Sequence, residues 1–283
     1  MGKGVGIIIT GIIFSIAGGV IAGASAKKAY DEYKALDKFK EGHIVLNESN
    51  KVSIGVESGT INVHHSTTSE SYLDYKVYEF YEVKYDQDEN EVKLHKKWNY
   101  WFVWFDNFTN KSVVDVYLTD KDYDAYFEVS AGKMNIDEEF TFNSLTVNVS
   151  AGEFNCNSNI NVTNDVMFRV SAGDLSMKGK TIAGKKATMK VSAGDLRINY
   201  LEAAEIETRI SAGDINCKVK SDKISFNISA GDLDMNIIGD QLDYKTTIKK
   251  SAGTCNIKEN QSGSKTLDGK ISAGTAKIYF VED

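Results

Sequence analysis

The tripeptide Ser-Ala-Gly occurs eight times, beginning at Ser130, Ser150, Ser171, Ser192, Ser211, Ser229, Ser251 and Ser272, in steps of 20, 21, 21, 19, 18, 22 and 21 residues. Aligned on the serine, the units read VSAGKMNI, VSAGEFNC, VSAGDLSM, VSAGDLRI, ISAGDINC, ISAGDLDM, KSAGTCNI and ISAGTAKI. An apolar residue generally precedes the serine, and apolar residues return at the fourth and sixth places after it. Such alternation predicts strands. The parity of the inward positions changes across the glycine and its successor, so this pair turns a corner between two short strands, a common use of glycine. One fixed corner in a period near twenty predicts a β-solenoid in which each coil is one rung and equivalent positions stack along the axis. Val149, Val170, Val191, Ile210 and Ile228 would line the interior on one side of the corner, and Phe154, Leu175, Leu196, Ile215 and Leu233 on the other.

Composition removes several other classes. Proline is absent, where average usage of about 5% would give roughly 14, so collagen-like, proline-rich linker and mucin-like chains are excluded. A net charge of -7, from 33 basic and 40 acidic residues, argues against a general nucleic-acid binder, which needs a basic footprint. Cys156 and Cys217 occupy the sixth place of their units and Cys255 the fourth, so all three are expected as small buried apolar groups. Cys156 and Cys217 would lie three rungs apart, roughly 14 Å at the strand spacing of about 4.8 Å, too far for a disulfide. The odd number of cysteines agrees and leaves the redox compartment open.

Upstream, VESGTINV (Val56 to Val63) is a degenerate unit with Glu57-Ser58-Gly59 in place of Ser-Ala-Gly. It is followed by STTSES and by the strand-like runs YKVYEFYEVKY and EVKLHKKW, separated by the turn-like DQDEN. These runs predict hairpins that interrupt or cap the first rungs, since a bare solenoid end exposes apolar surface and open backbone edges. The chain accordingly divides into an anchor and juxtamembrane helix (1–40), a degenerate rung with an aromatic-rich capping region (41–128) and regular repeats (129–283), with 41–283 as one folding unit.

Val5 to Ala26 contains no charged residue and is close to the ~20 residues needed to cross a bilayer as a helix. An uncleaved transmembrane helix is the reading adopted; the rivals are a signal peptide cleaved at Ala24-Ser25-Ala26 and a buried soluble helix. Gly11, Ser15, Gly19 and Gly23 fall four apart and would give such a helix a small-residue stripe suited to a homodimer. Lys27, Lys28, Lys34, Lys38 and Lys40 outnumber Lys3, which by the positive-inside rule favours a cytoplasmic β-domain.

The N-terminal anchor, the aromatic run KKWNYWFVWFDNF, the strand KSVVDVYL and the repeated SAGD units together resemble the bacterial putative-adhesin family of β-strand-repeat proteins, a domain of unknown function in Gram-positive membrane and cell-envelope proteins. The resemblance extends from about Gly42 to Asp283. It implies a right-handed β-helix and an extracytoplasmic domain, with some relatives beside envelope-stress sensing systems. Thr119 departs from the family pattern, which has proline after the strand ending at Leu118. The implied export opposes the lysine count and is weighted above it.

Three groups of side chains are candidates for function. Asp174, Asp195, Asp214 and Asp232, with Glu153 before them, would stack as an acidic column. Unit charges ~4.8 Å apart repel by roughly 1 kcal/mol even in water, so each aspartate is expected to accept backbone N–H bonds at its turn. Calcium on the column is the other reading, although the GGxGxD motif is lacking. Arg169, Lys190, Arg209, Lys249 and Lys270 would form an outward basic column able to bind an anionic envelope polymer, interrupted by Asn148 and Asn227. Trp101, Trp104 and Phe105, in the densest aromatic cluster, would pack over the solenoid end or meet a membrane interface or partner.

No cofactor is called for. The four histidines, His43, His64, His65 and His95, all precede the regular repeats without metal-ligand or nucleophile-base spacing, and adjacent His64 and His65 should point to opposite faces of a strand. The reading is a single-pass, membrane-anchored, non-enzymatic β-solenoid that binds or scaffolds at the cell envelope. Its alternatives are a polysaccharide-acting β-helix enzyme and a cytoplasm-facing tethered scaffold.

Overall fold

Strands flank every Ser-Ala-Gly corner in the computed structural model, which describes residues 38–97 and 111–282. The N-terminal part contains β1 (Phe39–Val45), β2 (Lys51–Val56), β3 (Thr60–His65), β4 (Tyr72–Tyr78), β5 (Tyr81–Asp86), β6 (Glu91–Lys96) and β7 (Val113–Leu118). The regular rungs begin with β8 and β9 (Tyr123–Val129, Lys133–Ile136) and β10 and β11 (Phe140–Val149, Glu153–Cys156). They continue through β12 (Ile160–Val162), β13 (Val166–Val170) and the long β14 (Asp174–Val191) and β15 (Asp195–Ile210), to β16 (Asp214–Lys220). The last three corners join β17 to β18 (Lys223–Ile228, Asp232–Ile238), β19 to β20 (Tyr244–Lys250, Thr254–Cys255) and β21 to β22 (Lys265–Ile271, Thr275–Val281). Among the described residues the only helical element named is the 3-10 turn Gln241–Asp243.

The predicted interior columns form. Val149, Val170, Val191, Ile210 and Ile228 lie side by side in parallel register, as do Phe154, Leu175, Leu196, Ile215 and Leu233 beyond the corner. All ten are buried, so apolar burial runs unbroken along the axis. In the middle rungs a third stretch pairs as well, 140–142 with 160–162 and these with 181–183.

The hydrogen-bond ladder continues around the corner. Ser171 N–H donates to Val149 O at 2.8 Å, Ala172 N–H to Ser150 O at 2.7 Å and Asp174 N–H to Gly152 O at 3.0 Å. This close approach excludes any side chain, since a Cβ on Gly173 would lie 2.2 Å from Gly152 O and 2.7 Å from Val149 Cγ1. Backbone proximity rather than conformation therefore dictates glycine at this corner.

The rungs do not stack in chain order. β21 and β22 pair with β17 and β18 on one side and with β19 and β20 on the other. The Ser272 rung thus lies inside the Ser251 rung, which forms the end of the solenoid. At the opposite end β2 and β3 lie between the β8/β9 rung and the strands β6 and β7. Antiparallel β5 then closes β6, while β4 and β1 close β7. The degenerate unit is thus a genuine rung, with β6 and β7 stacked on it in parallel and the antiparallel strands β5, β4 and β1 outside them. Within DQDEN, Asp86 Oδ1 accepts N–H bonds from Asp88 and Glu89 at 3.0 and 3.3 Å.

Exchange of the last two rungs corrects one expectation. Cys156 and Cys217 are buried free thiols, but Cys255 is only half-buried, because its rung has a neighbour on one side only.

Candidate binding surface

Strand alternation sends the position two before each serine outward, and the parallel register aligns these positions from rung to rung. Arg169, Lys190, Arg209, Asn227, Lys270 and Lys249 follow one another in that order. The predicted basic column therefore exists, with its last two members transposed by the rung exchange. Asn148 precedes Arg169 and donates from Nδ2 to Tyr126 Oη at 2.7 Å.

Two neighbouring rows set the electrostatics. One contains Glu207, Ser225, Asp268 and Thr247; the other contains Lys186, Glu205 and Lys223. Lys186 Nζ lies 2.7 Å from Glu207 and 3.0 Å from Glu205, Lys223 Nζ lies 2.6 Å from Glu205, and Arg209 lies 2.6 Å from Glu207. The hydrogen bond from Lys186, aided by Arg209 and opposed by burial, holds Glu207 below the ordinary glutamate value. Lys223 and then Lys186 do the same for Glu205, and the two glutamates in turn raise Lys186. Arg209 is thus neutralised within the surface. Lys249 and Lys270 make no ion pair among the described residues.

Ser225 and Asn227 are short, and the rungs beside them carry Glu207 and Arg209 on one side and Asp268 and Lys270 on the other. The result is a groove of about 530 Å³ along this face, which Thr247 and Lys249 also line. It combines two uncompensated ammonium groups with hydroxyl and amide donors, the ion-paired Glu207 and the carboxylate of Asp268. That set suits a ligand carrying both anionic and hydroxyl groups.

The aspartate column forms too, with Glu153, Asp174, Asp195, Asp214 and Asp232 in register. None of the four aspartates accepts a backbone N–H at its own turn; those N–H groups serve the ladder to the preceding rung. Repulsion is instead offset at one end by Arg197, 2.6 Å from Asp195 and 3.7 Å from Asp174, and by Lys133, 3.2 Å from Glu153. Asp214 and Asp232 are exposed to water. Among the described residues no three His, Cys, Asp or Glu side chains are grouped so as to hold a metal ion.

All four histidines lie against carboxylates, an arrangement the sequence did not disclose. His43 meets Asp74 at 2.7 Å, His65 meets Asp120 at 2.9 Å and His95 meets Glu82 at 3.3 Å. His64 reaches Glu138 at 3.2 Å and Asp115 at 3.4 Å, so it and His65 do point to different surroundings. Burial alone would raise Glu138, but the His65 N–H and the His64 ring outweigh it and hold its pKa below the usual range.

The remaining candidates, Trp101, Trp104 and Phe105 and the small-residue stripe Gly11, Ser15, Gly19 and Gly23, lie outside the described residues, as does Val5 to Ala26. Among the described residues no helix is long and apolar enough to cross a membrane. The Lys186–Glu205–Lys223 network was also missed, although its signal was present: lysine and glutamate alternate at steps of 19 and 18 residues, in phase with the repeat.

No curated protein matches the chain. Among solved structures, a putative adhesin of Bacteroides fragilis NCTC 9343 is similar at 17% identity and TM-score 0.49, over 86% of this chain and 97% of that one. A putative adhesin of Parabacteroides merdae ATCC 43184 gives 15% identity and TM-score 0.44, over 87% and 97%. The model of the Toastrack DUF4097 family matches residues 49–282, which takes in every rung from the degenerate unit to β22. The chain belongs to the Toastrack DUF4097 family.

Proposed function

We propose that this protein is a non-enzymatic, adhesin-like binding scaffold of the bacterial cell envelope, tethered to the membrane by a single N-terminal span, with its solenoid outside the cytoplasm. Its ligand is a linear anionic polymer laid along the row Arg169, Lys190, Arg209, Lys270 and Lys249. The observation that carries this reading is the groove beside Lys249 and Lys270, where two ammonium groups without ion pairs stand in register with hydroxyl and amide donors. A rung spacing of about 4.8 Å presents such groups at regular intervals, which suits a repeating ligand better than a compact one.

The test is binding of a polyol-phosphate wall polymer to the full chain. The double charge reversal Lys249→Glu with Lys270→Glu should weaken binding by roughly tenfold or more, and affinity of the native chain should fall as salt rises. Unchanged affinity in the variant would remove the groove from the reading. The lysine excess after the apolar stretch supports a second reading, a cytoplasm-facing scaffold. Protease treatment of intact cells separates the two, because digestion of 42–283 without opening the cells is expected only for an exposed domain.

A further inference from the structure

The two ends of the solenoid differ in chemistry. At the N-terminal end the outermost strands are β1 on one face and β5 on the other, and they are brought together where β4 turns into β5. Glu79 N–H donates to Lys38 O at 3.0 Å, Lys97 N–H to Phe80 O at 2.9 Å and Lys97 Nζ to Glu79 O at 3.0 Å. Lys40, on β1 two residues after Lys38, lies close enough to Lys97 for its charge to oppose that of Lys97. Nearby, Phe39 stacks on Tyr78 at 4.3 Å and Tyr78 on Phe80 at 5.2 Å, with Lys76 Nζ 5.4 Å from the Phe39 ring and Lys96 Nζ 5.9 Å from that of Phe80.

Nearby carboxylates do not neutralise the pair. Glu41 is taken by Lys76 at 2.6 Å and Glu82 by His95 at 3.3 Å. Neither Lys40 nor Lys97 makes an ion pair among the described residues. Burial, followed by the neighbouring Lys40 ammonium, holds the Lys97 pKa below the ordinary lysine range, with Glu82 and Glu79 acting weakly the other way. Two cations held together without a carboxylate partner form an arrangement that an anion between them would relieve.

The path of the chain identifies the source of that anion. Only residues 27–37 separate the apolar stretch ending at Ala26 from Lys38. At no more than about 3.6 Å per residue, they keep this end within roughly 40 Å of a bilayer surface. The aromatic-rich residues 98–110 are joined to the fold at the same end, through Lys97 and Lys111. From β6 to β19 the ladder takes nine steps, roughly 43 Å at about 4.8 Å each. The groove beside Lys249 therefore lies at the opposite end.

We propose that the N-terminal end is a lipid-facing surface on which Lys40 and Lys97 hold the phosphate of anionic phospholipid headgroups, so that the solenoid stands upright and presents its groove away from the bilayer. The proposal rests on the anchor reading given above, and the experiment separates the two. The full chain is placed in nanodiscs of phosphatidylcholine, alone or mixed with phosphatidylglycerol, and lysine acetylation rates are followed by mass spectrometry. Lys40 and Lys97 should react more slowly in the anionic discs, by about fivefold each, while Lys245 and Lys249 at the far end keep their rates. In K40Q/K97Q, the protection of neighbouring Lys38 should disappear, with Lys245 and Lys249 reporting that the fold is intact.

Equal rates at Lys40 and Lys97 in both lipid compositions, for a chain that co-floats with the discs, would overturn the lipid contact and leave the anchor standing. Protection reproduced by inorganic phosphate in phosphatidylcholine discs would overturn it in favour of a soluble anion. A chain that fails to co-float would overturn the anchor and, with it, the upright tethering.

Discussion

Replacing Gly194 with alanine tests whether backbone contact governs the corner. The new Cβ would lie 2.1 Å from Gly173 O and 2.7 Å from Val170 Cγ1, whereas a comfortable C···O contact is about 3.3 Å. The carbonyl cannot swing aside, because it accepts the Asp195 N–H at 3.1 Å. The rungs must therefore separate by about 1 Å, which takes this bond well beyond the hydrogen-bonding range of about 3.2 Å. The bonds from Ser192 N–H to Val170 O and from Ala193 N–H to Ser171 O, both 2.8 Å, stretch with it. At a net ~1 kcal/mol for each of the three, with ~1–3 kcal/mol for overpacking against Val170, the loss comes to about 4–6 kcal/mol. Urea unfolding followed by far-ultraviolet circular dichroism measures it, with Ala193→Ser as a control expected within about 0.5 kcal/mol. Gly253→Ala in the outermost rung should lose only about 1–2 kcal/mol, because that rung can lift. A Gly194→Ala chain that keeps the native spectrum and loses less than about 1 kcal/mol would refute the argument.

The rung exchange predicts that Ile271→Ala destabilises by about 2–4 kcal/mol and Lys250→Ala by no more than about 0.5 kcal/mol; a clear gain in stability for Lys250→Ala in equilibrium unfolding would instead mean that the rungs stack in chain order and bury this ammonium. Iodoacetamide at pH 8 should modify only Cys255 in the native chain, because burial pushes the Cys156 thiol up to about 11 and that of Cys217 to about 12. Mass spectrometry showing an adduct on native Cys217 would contradict this. Glu205 and Glu207 have folded pKa values below their ordinary 4.5, so their stabilisation is present above that value and disappears as the pH falls through the depressed one. Lys186 is raised above 10.5, so its share is present below that value and fades in stronger alkali. Glu207→Gln should flatten the acid side of the thermal stability curve, and an unchanged slope would show that the network does not contribute.

The repeat was legible because each corner demands the same small residue, and the ladder demands apolar residues at fixed distances from it. Rung order was harder to read because parallel pairing is satisfied by any neighbour with the same pattern. The signal was nevertheless present: terminal repeats are atypical, and the atypical unit is KSAGTCNI, in which Lys250 replaces the usual Val or Ile. Although it is the penultimate unit, this departure marks it as the true end. The basic column was legible from alternation alone. Its groove was not, since it depends on which rungs flank Ser225 and Asn227. The aspartates were misjudged for a similar reason. An isolated turn leaves N–H groups for its own side chain, but a stacked corner gives them to the rung below.

The exchanged rungs also affect how the chain can assemble during synthesis. Residues 244–255 emerge before residues 265–281, yet their final position requires the later segment to be in place first. Until then the open edge of β17 and β18 could accept the wrong strands, since both segments carry a Ser-Ala-Gly corner. Lys250 discriminates between them. In the native order it pairs with Ile271 on one side and is exposed on the other. In the premature order it would pack against Ile228 and, once the later rung was added, be sandwiched between two isoleucines, burying an unpaired ammonium at a penalty of several kcal/mol. A single charged residue thus disfavours the mispaired order and leaves that place for the segment that is translated later.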